Sequence, residues 1–283
     1  MIFKFTKLLR VTAASWLADR VPRLGAALAF YGILSLAPLL LLILSAAGAL
    51  LGDHAARGQI VAQLHDLLGE QGATVIQGII KASAHSKGGS IVATLVGLGT
   101  LLFAASGVFG QLQDALDTIW HVPAPRRRGV MNFIKNRLLA FFMVGGTGLL
   151  LITSLAVTMA VAAVNKFATG LVPQFAVIFS IINFIIGLIV TTTLFAAIFK
   201  ILPNINIAWR DVWTGAIFTT VLFIIGKGLI GLYLSHSLIT SSYGAAGSVI
   251  VILLWVYYSA QILLFGAEFT KIYAQIFGSH KKS

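Results

Sequence analysis

The stretch LAFYGILSLAPLLLLI, residues 28–43, decides the fold. It carries no charge, and with its flanks it forms an apolar run over about 24–52. Crossing a hydrocarbon core of roughly 30 Å takes about 20 apolar helical residues, so this run reads as a membrane span. Its interior proline, Pro38, removes the backbone donor to the Leu34 carbonyl and its ring clashes there, so a kink is expected. Ser35, three residues earlier, is placed to satisfy a freed carbonyl. Tyr31, Ser35, Pro38 and Leu42 share one helical stripe, expected to face the interior of a helix bundle. Two readings of that stripe stay open: a kink that shapes packing, or a hinge lining a polar pathway.

The rest of the chain supports a membrane setting. Of 283 residues, 58% are hydrophobic and 10% charged, and the mean hydropathy is +0.96. A soluble domain has about a quarter of its residues charged, so this chain cannot cover a water-facing surface. The net charge is +12. In a soluble protein that would point to nucleic acid; here the cations fall in the connections, where they fix topology and meet anionic lipid head groups. No nucleic-acid partner is expected. There is no cysteine, hence no disulfide or thiolate chemistry.

Further apolar runs lie at about 88–110, 138–164, 174–200, 211–234 and 245–272, so the expected fold is an all-α integral membrane protein with six transmembrane helices in one polytopic domain. Residues 1–23 lack the uninterrupted apolar core of a signal peptide and read as a basic amphipathic helix on the membrane surface. Phe3, Phe5, Leu8, Leu9, Val11 and Trp16 are its residues for insertion. The second span is expected to continue beyond the membrane. Leu112, Leu116, Ile119 and Trp120 hold a helical stripe there until Pro123 and Pro125 stop it. Residues 53–87 contain two short amphipathic segments, around Ile60–Leu68 and Val75–Ile80.

Lysine and arginine set the orientation. The connections 1–23, 111–137, 200–210 and 271–283 hold 15 of the 20 basic residues; those on the other side hold 4. Both termini are therefore expected in the cytoplasm. The remaining cation, Lys227, falls inside the fifth span, where a charge is either functional or snorkels to the outer face.

The other candidates are polar residues within or beside spans. Glu268, near the inner end of the last span, needs a cationic partner, and Arg23, Arg137 and Arg210 lie at matching depth. Asp114 and Asp117 sit on the extension of the second helix, facing either Arg126–Arg128 or water. Asn183 is costly in lipid and is expected to face another helix. Thr191, Thr192 and Thr193 are expected to bond their own helix. Gly107 and its neighbour Ser106 suit close helix approach. Tyr243 lies in the outer loop SSYGAAG, residues 241–247, which is either a tight turn or a ligand-wrapping loop.

Four stretches together resemble the YihY/BrkB family of bacterial inner-membrane proteins, once labelled ribonuclease BN. They are GAALAFYGILSLAPLLLLI (25–43), QLQDALDTIWHVPAPRRRG (111–129), ILPNINIAWRDVWTGA (201–216) and YGAAGSVIVILLWVYYSAQILLFGAEFTKIY (243–273). The resemblance implies six spans with both ends inside, a virulence- or envelope-linked role in some members, and no settled biochemical activity. The old nuclease label finds no metal constellation here. The acids are scattered, His54, His65 and His85 fall on the outer side, and no H-x-H-x-D-H pattern, phosphate loop or nucleophile elbow occurs. No cofactor, metal or catalytic residue is expected. The expected function is export or transport of an amphipathic or anionic envelope-related substrate, with Tyr31, Ser35, Pro38, Asn183, Lys227 and Tyr243 along its pathway. The alternative is a membrane scaffold or assembly factor. Lipids are the expected partners, and self-association is left open.

Overall fold

The computed structural model describes residues 2–35, 107–123, 175–236 and 245–280. Every regular element among these is a helix: α1 (Ile2–Ala18), α2 (Val21–Ser35), α3 (107–119), α4 (Phe175–Ile201), α5 (Trp209–His236) and α6 (Ala245–Ile276). Three are long and apolar enough to cross a membrane, over Phe184–Ile201, Trp209–Tyr233 and Ile250–Ile276. They match the expected fourth, fifth and sixth spans, the last extended by one turn. The first expected span is represented by α2 and the second by the start of α3. The span at 138–164, the segment 53–87, Pro38, Arg137 and Tyr243 lie outside the described residues.

The outward faces identify the solvent. Phe184, Ile189, Ile217, Ile225 and Leu229 are each more than half exposed. A contiguous apolar surface of that kind is a liability in water and the matched surface in hydrocarbon.

Lipid tails are as apolar as leucine, so burying leucine does not hold such helices together; close packing does. The α5–α6 pair shows how. GAIFT (215–219) on α5 and GAEFT (266–270) on α6 are near-identical pentapeptides on antiparallel helices. A Cβ added at Gly215 would fall on the Thr270 side chain, and one added at Gly266 would fall on Thr219. Each threonine thus fills the space left by the other helix's glycine. Each hydroxyl also donates to its own helix, Thr219 Oγ1 to Gly215 O at 2.7 Å and Thr270 Oγ1 to Gly266 O at 2.7 Å. No polar hydrogen is left bare in the contact. Phe218 and Phe269 stack beside this lock, ring centroids 3.8 Å apart.

On its other side α5 packs against α4 through Thr192, whose hydroxyl donates to Thr220 Oγ1 at 3.0 Å. Only Thr193 bonds back to its own helix, at Ile189 O. The expectation that these threonines serve their own helix therefore fails for Thr192, because its face meets α5.

The N-terminal helix is held against the bundle. α1 packs on α6, with Leu8 buried against Phe269 and Ile272, and Trp16 edge-on to Phe265 at 6.3 Å. Leu8 is a core contact, and Leu9, Val11 and Trp16 are partly buried against the same clusters. An apolar stripe shows that a face is covered and not by what. α3 follows its expected stripe, with Leu112, Leu116, Ile119 and Trp120 all buried. It stops at 119, before the prolines. The His121 N–H bonds to Thr118 O and the Val122 N–H to Asp117 O, the paired bonds of a Schellman turn. His121 holds the left-handed position with φ 52°, where glycine is usual. Arg20 does the same at φ 51° between α1 and α2.

Candidate functional site

Four segments meet at one end of the bundle: the α1–α2 corner, the end of α3, the α4–α5 loop, and the end of α6 with its tail. Each is one of the basic connections assigned above to a single side. Asp117 clamps the loop, its Oδ1 accepting the Asn204 backbone N–H at 2.8 Å and its Oδ2 the Asn204 side-chain amide at 2.7 Å. The buried Gln113 donates to Leu202 O at 3.0 Å. Asp211 Oδ2 accepts both the backbone N–H and the hydroxyl of Ser279, at 2.8 and 2.7 Å. Lys200 donates to Ile207 O and lies over the Trp209 ring. Three of the four stretches that carry the family resemblance, 111–129, 201–216 and 243–273, thus converge here.

At the centre of this end is a chain of charged groups. His121 Nε2 lies 2.9 Å from Asp19 Oδ1. Asp19 Oδ2 accepts from Lys271 Nζ at 2.8 Å. Lys271 Nζ lies 2.5 Å from Glu268 Oε1, one turn away on α6. Side-chain exposure falls along the chain from 65% at His121 through 14% and 3% to 0% at Glu268. Among the described residues Glu268's partner is therefore Lys271; Arg23 and Arg210 are exposed. Lys271 was legible only as a loop cation, because the helix was expected to end at 272. Burying such groups costs several kcal/mol per ion unless partners return it.

Burial pushes the Asp19 carboxyl up, but hydrogen bonds and charge from Lys271 and His121 outweigh it and hold the group below its ordinary 3.8. A depressed carboxylate stabilises the fold above its unfolded-state value and loses that contribution as the pH falls through the folded-state value. Wild type should therefore melt above Asp19→Asn in detergent at neutral pH. The gap should narrow below about pH 4.

Above the charge chain, the face of α6 turned to α1 and α2 is a seam of unsatisfied polar atoms. Among the described residues, Trp16 Nε1, Gln261 Oε1 and the Glu268 carboxylate oxygens are buried without a hydrogen-bond partner, Oε1 facing Lys271 as an ion pair. Gln261 and Glu268 are seven residues apart, hence two turns apart on one face and about 10 Å along the axis. Gln261 lies over Gly25 and donates its amide to Pro22 O at 3.3 Å. Sequence reasoning singled out none of Asp19, Gln261 and Lys271, and gave Trp16 to the membrane surface. A helical projection of 257–272 would have found Gln261 beside Glu268, but nothing local links Asp19 to a residue 252 positions away.

The other candidates are dispersed. Ser35 is buried and donates to Gly32 O at 3.0 Å. Tyr31 is 40% exposed, with its ring edge over Gly107, 3.1 Å from where a Cβ would stand. The interior placement expected for the stripe therefore holds for Ser35 and not for the whole Tyr31 ring. Gly107 does serve close approach. Asn183 lies on α4. Lys227 is half-buried on α5, beside Gly226, whose missing side chain admits Ile262 and Tyr258 of α6. That level is nine residues along α5 from Phe218, which stacks beside the 266–270 segment, so Lys227 and Glu268 lie about 13 Å apart along the axis. Asp114 is exposed. Among the described residues, no group of three or more His, Cys, Asp or Glu is arranged to hold a metal.

The Virulence factor BrkB family matches residues 12–283, and the chain belongs to that family. It is similar to a UPF0761 membrane protein of Azotobacter vinelandii, 27% identical over 261 residues, covering 89% of this chain and 60% of the relative. A UPF0761 membrane protein of Tolumonas auensis is 26% identical over 261 residues, covering 89% and 80%. The ribonuclease-like protein YfkH of Bacillus subtilis is 23% identical over 248 residues, covering 86% of each chain. The chain spans about 60% of the length of several of these curated relatives. No solved structure matches.

Proposed function

We propose that this multi-pass membrane protein is a transporter or exporter of an amphipathic, anionic, envelope-related substrate in the bacterial inner membrane. Both termini face the cytoplasm, by the excess of lysine and arginine at the end where the four segments meet. The observation that carries the reading is the α6 seam. Buried polar atoms without partners are rare and call for an explanation, and within a membrane they mark pathways more often than scaffolds. Here, among the described residues, Gln261 and Glu268 present such atoms on one face of α6, and Trp16 of α1, packed on α6 at Phe265, presents another. Anionic head groups would gather at the basic end, which also explains the charge without nucleic acid.

A scaffold is the second reading, favoured by the reciprocal glycine–threonine lock, which makes α5 and α6 one rigid unit. A hydrolase reading, prompted by the name of YfkH, fits less well. The Lys271 ammonium stands between the Asp19 and Glu268 carboxylates, where a catalytic metal would need to be. We therefore propose a non-enzymatic role.

The test is transbilayer movement of fluorescently labelled phosphatidylglycerol in vesicles reconstituted with the full chain, read by dithionite quenching. Wild type should exceed protein-free vesicles, and Gln261→Leu, which removes the polar group from the seam, should reduce the rate with reconstitution yield unchanged. Equal rates in wild-type and empty vesicles would leave the scaffold reading standing.

A further inference from the structure

We propose that Glu268 is a proton-binding site, loaded from the aqueous phase through the chain His121–Asp19–Lys271. The proposal rests on the transport reading in one respect: it makes the proton the coupling ion.

The geometry has the parts of a relay. Its outer member is an imidazole, whose two nitrogens can take up a proton on one side and release one on the other, and it stands in water. Its inner member is a carboxylate closed off from water. The contacts between them are 2.9, 2.8 and 2.5 Å, each short enough for proton transfer without a bridging water. No donor among the described residues reaches Glu268 Oε2, so a proton arriving at this carboxylate displaces no hydrogen bond there. The main chain is also built for the contact. The left-handed residue His121 ends α3 where its ring meets Asp19, and the left-handed residue Arg20 turns the chain directly after Asp19.

The transfer balances. Water gives a proton to His121 Nδ1, and Nε2 passes its own to Asp19. Lys271 Nζ gives a proton to Glu268 Oε1 and regains one from Asp19. The net change is one proton moved from water to Glu268. Asp19 and Lys271 end with the charges they began with, and the imidazole ends as its other tautomer, which exchange with water resets. Lys271 and His121 keep Asp19 ionised at rest, so it passes the proton on rather than holding it. Among the described residues, the charged groups around Glu268 are Lys271 on its own helix, Asp19 from the α1–α2 corner and His121 from the end of α3. α5 contributes Asp211, which Ser279 engages at the helix end, and Arg20 and Arg23 beside Asp19 are exposed.

The test is infrared difference spectroscopy of the purified full chain in detergent as the pH is lowered. Wild type should develop a protonated-carboxyl band that is missing from Glu268→Gln. His121→Asn keeps a residue that tolerates the left-handed backbone and cannot perturb a buried contact, so it guards against a folding defect at position 268. It should keep the band and slow proton uptake after a pH jump by roughly a hundredfold. A titration with no such band, a band unchanged in Glu268→Gln, or uptake unchanged in His121→Asn overturns the relay. The readout needs no substrate, so it separates the two ideas. A band that behaves as stated, with no lipid flux in wild-type vesicles, upholds the proton site and overturns the transport reading alone.

Discussion

Gly266→Ala forces α5 and α6 apart. The new methyl would stand 2.8 Å from both Cβ and Cγ2 of Thr219, a β-branched side chain with no rotamer that clears the contact while keeping its bond to Gly215 O. Overpacking a tight contact costs about 1–3 kcal/mol, and here the stacked Phe218–Phe269 pair would be disturbed as well. Gly215→Ala should behave alike through Thr270. Thermal unfolding in detergent measures the loss. Thr219→Gly placed in the Gly266→Ala background removes the colliding atoms, so the double variant should melt above the single one. The two changes then show a favourable coupling energy, as neighbours in contact do. Additive losses would mean that the threonine and glycine do not share the space assigned to them.

The second large effect is at Lys271. Lys271→Met takes away the cation shared by Asp19 and Glu268 and leaves two carboxylates facing each other in a nearly dry site. Breaking a buried ion pair from one side costs about 3–5 kcal/mol, because the remaining charge is uncompensated. The variant should be the least stable of the single substitutions named here. Changing Glu268 to leucine in the same background should recover the loss, since a hydrophobic replacement of a whole buried pair is often neutral or stabilising.

Much of the fold is legible in the chain because the bilayer imposes length and apolarity on each span. The ranges 174–200, 211–234 and 245–272 follow from composition alone and recur as α4, α5 and α6. Helix ends were harder. α3 ends on the left-handed His121, a position any Asn or His can take, while Pro123 and Pro125 look like the stronger signal. The site was legible only in part. Glu268 stands out as an acid in an apolar run, but its partners come from one turn further along α6 and from a corner far away in the chain. Lys227 looked at least as notable, yet among the described residues it makes no ion pair. The repeat GAIFT and GAEFT was available in the sequence. Its third position explains why Glu268 matters: the matching residue on α5, Ile217, faces outward at 54% exposure, whereas Glu268 is fully buried.

The central claim is that the buried charge pair serves passage through the membrane rather than stability. The most direct measurement compares wild type with Glu268→Leu/Lys271→Met for both thermal stability in detergent and labelled phosphatidylglycerol movement in vesicles. The account predicts a double variant that folds and reconstitutes like wild type, with melting unchanged or higher, and moves lipid no faster than protein-free vesicles. A double variant that melts below wild type yet moves lipid equally fast would contradict it, and would make the pair a structural fastener.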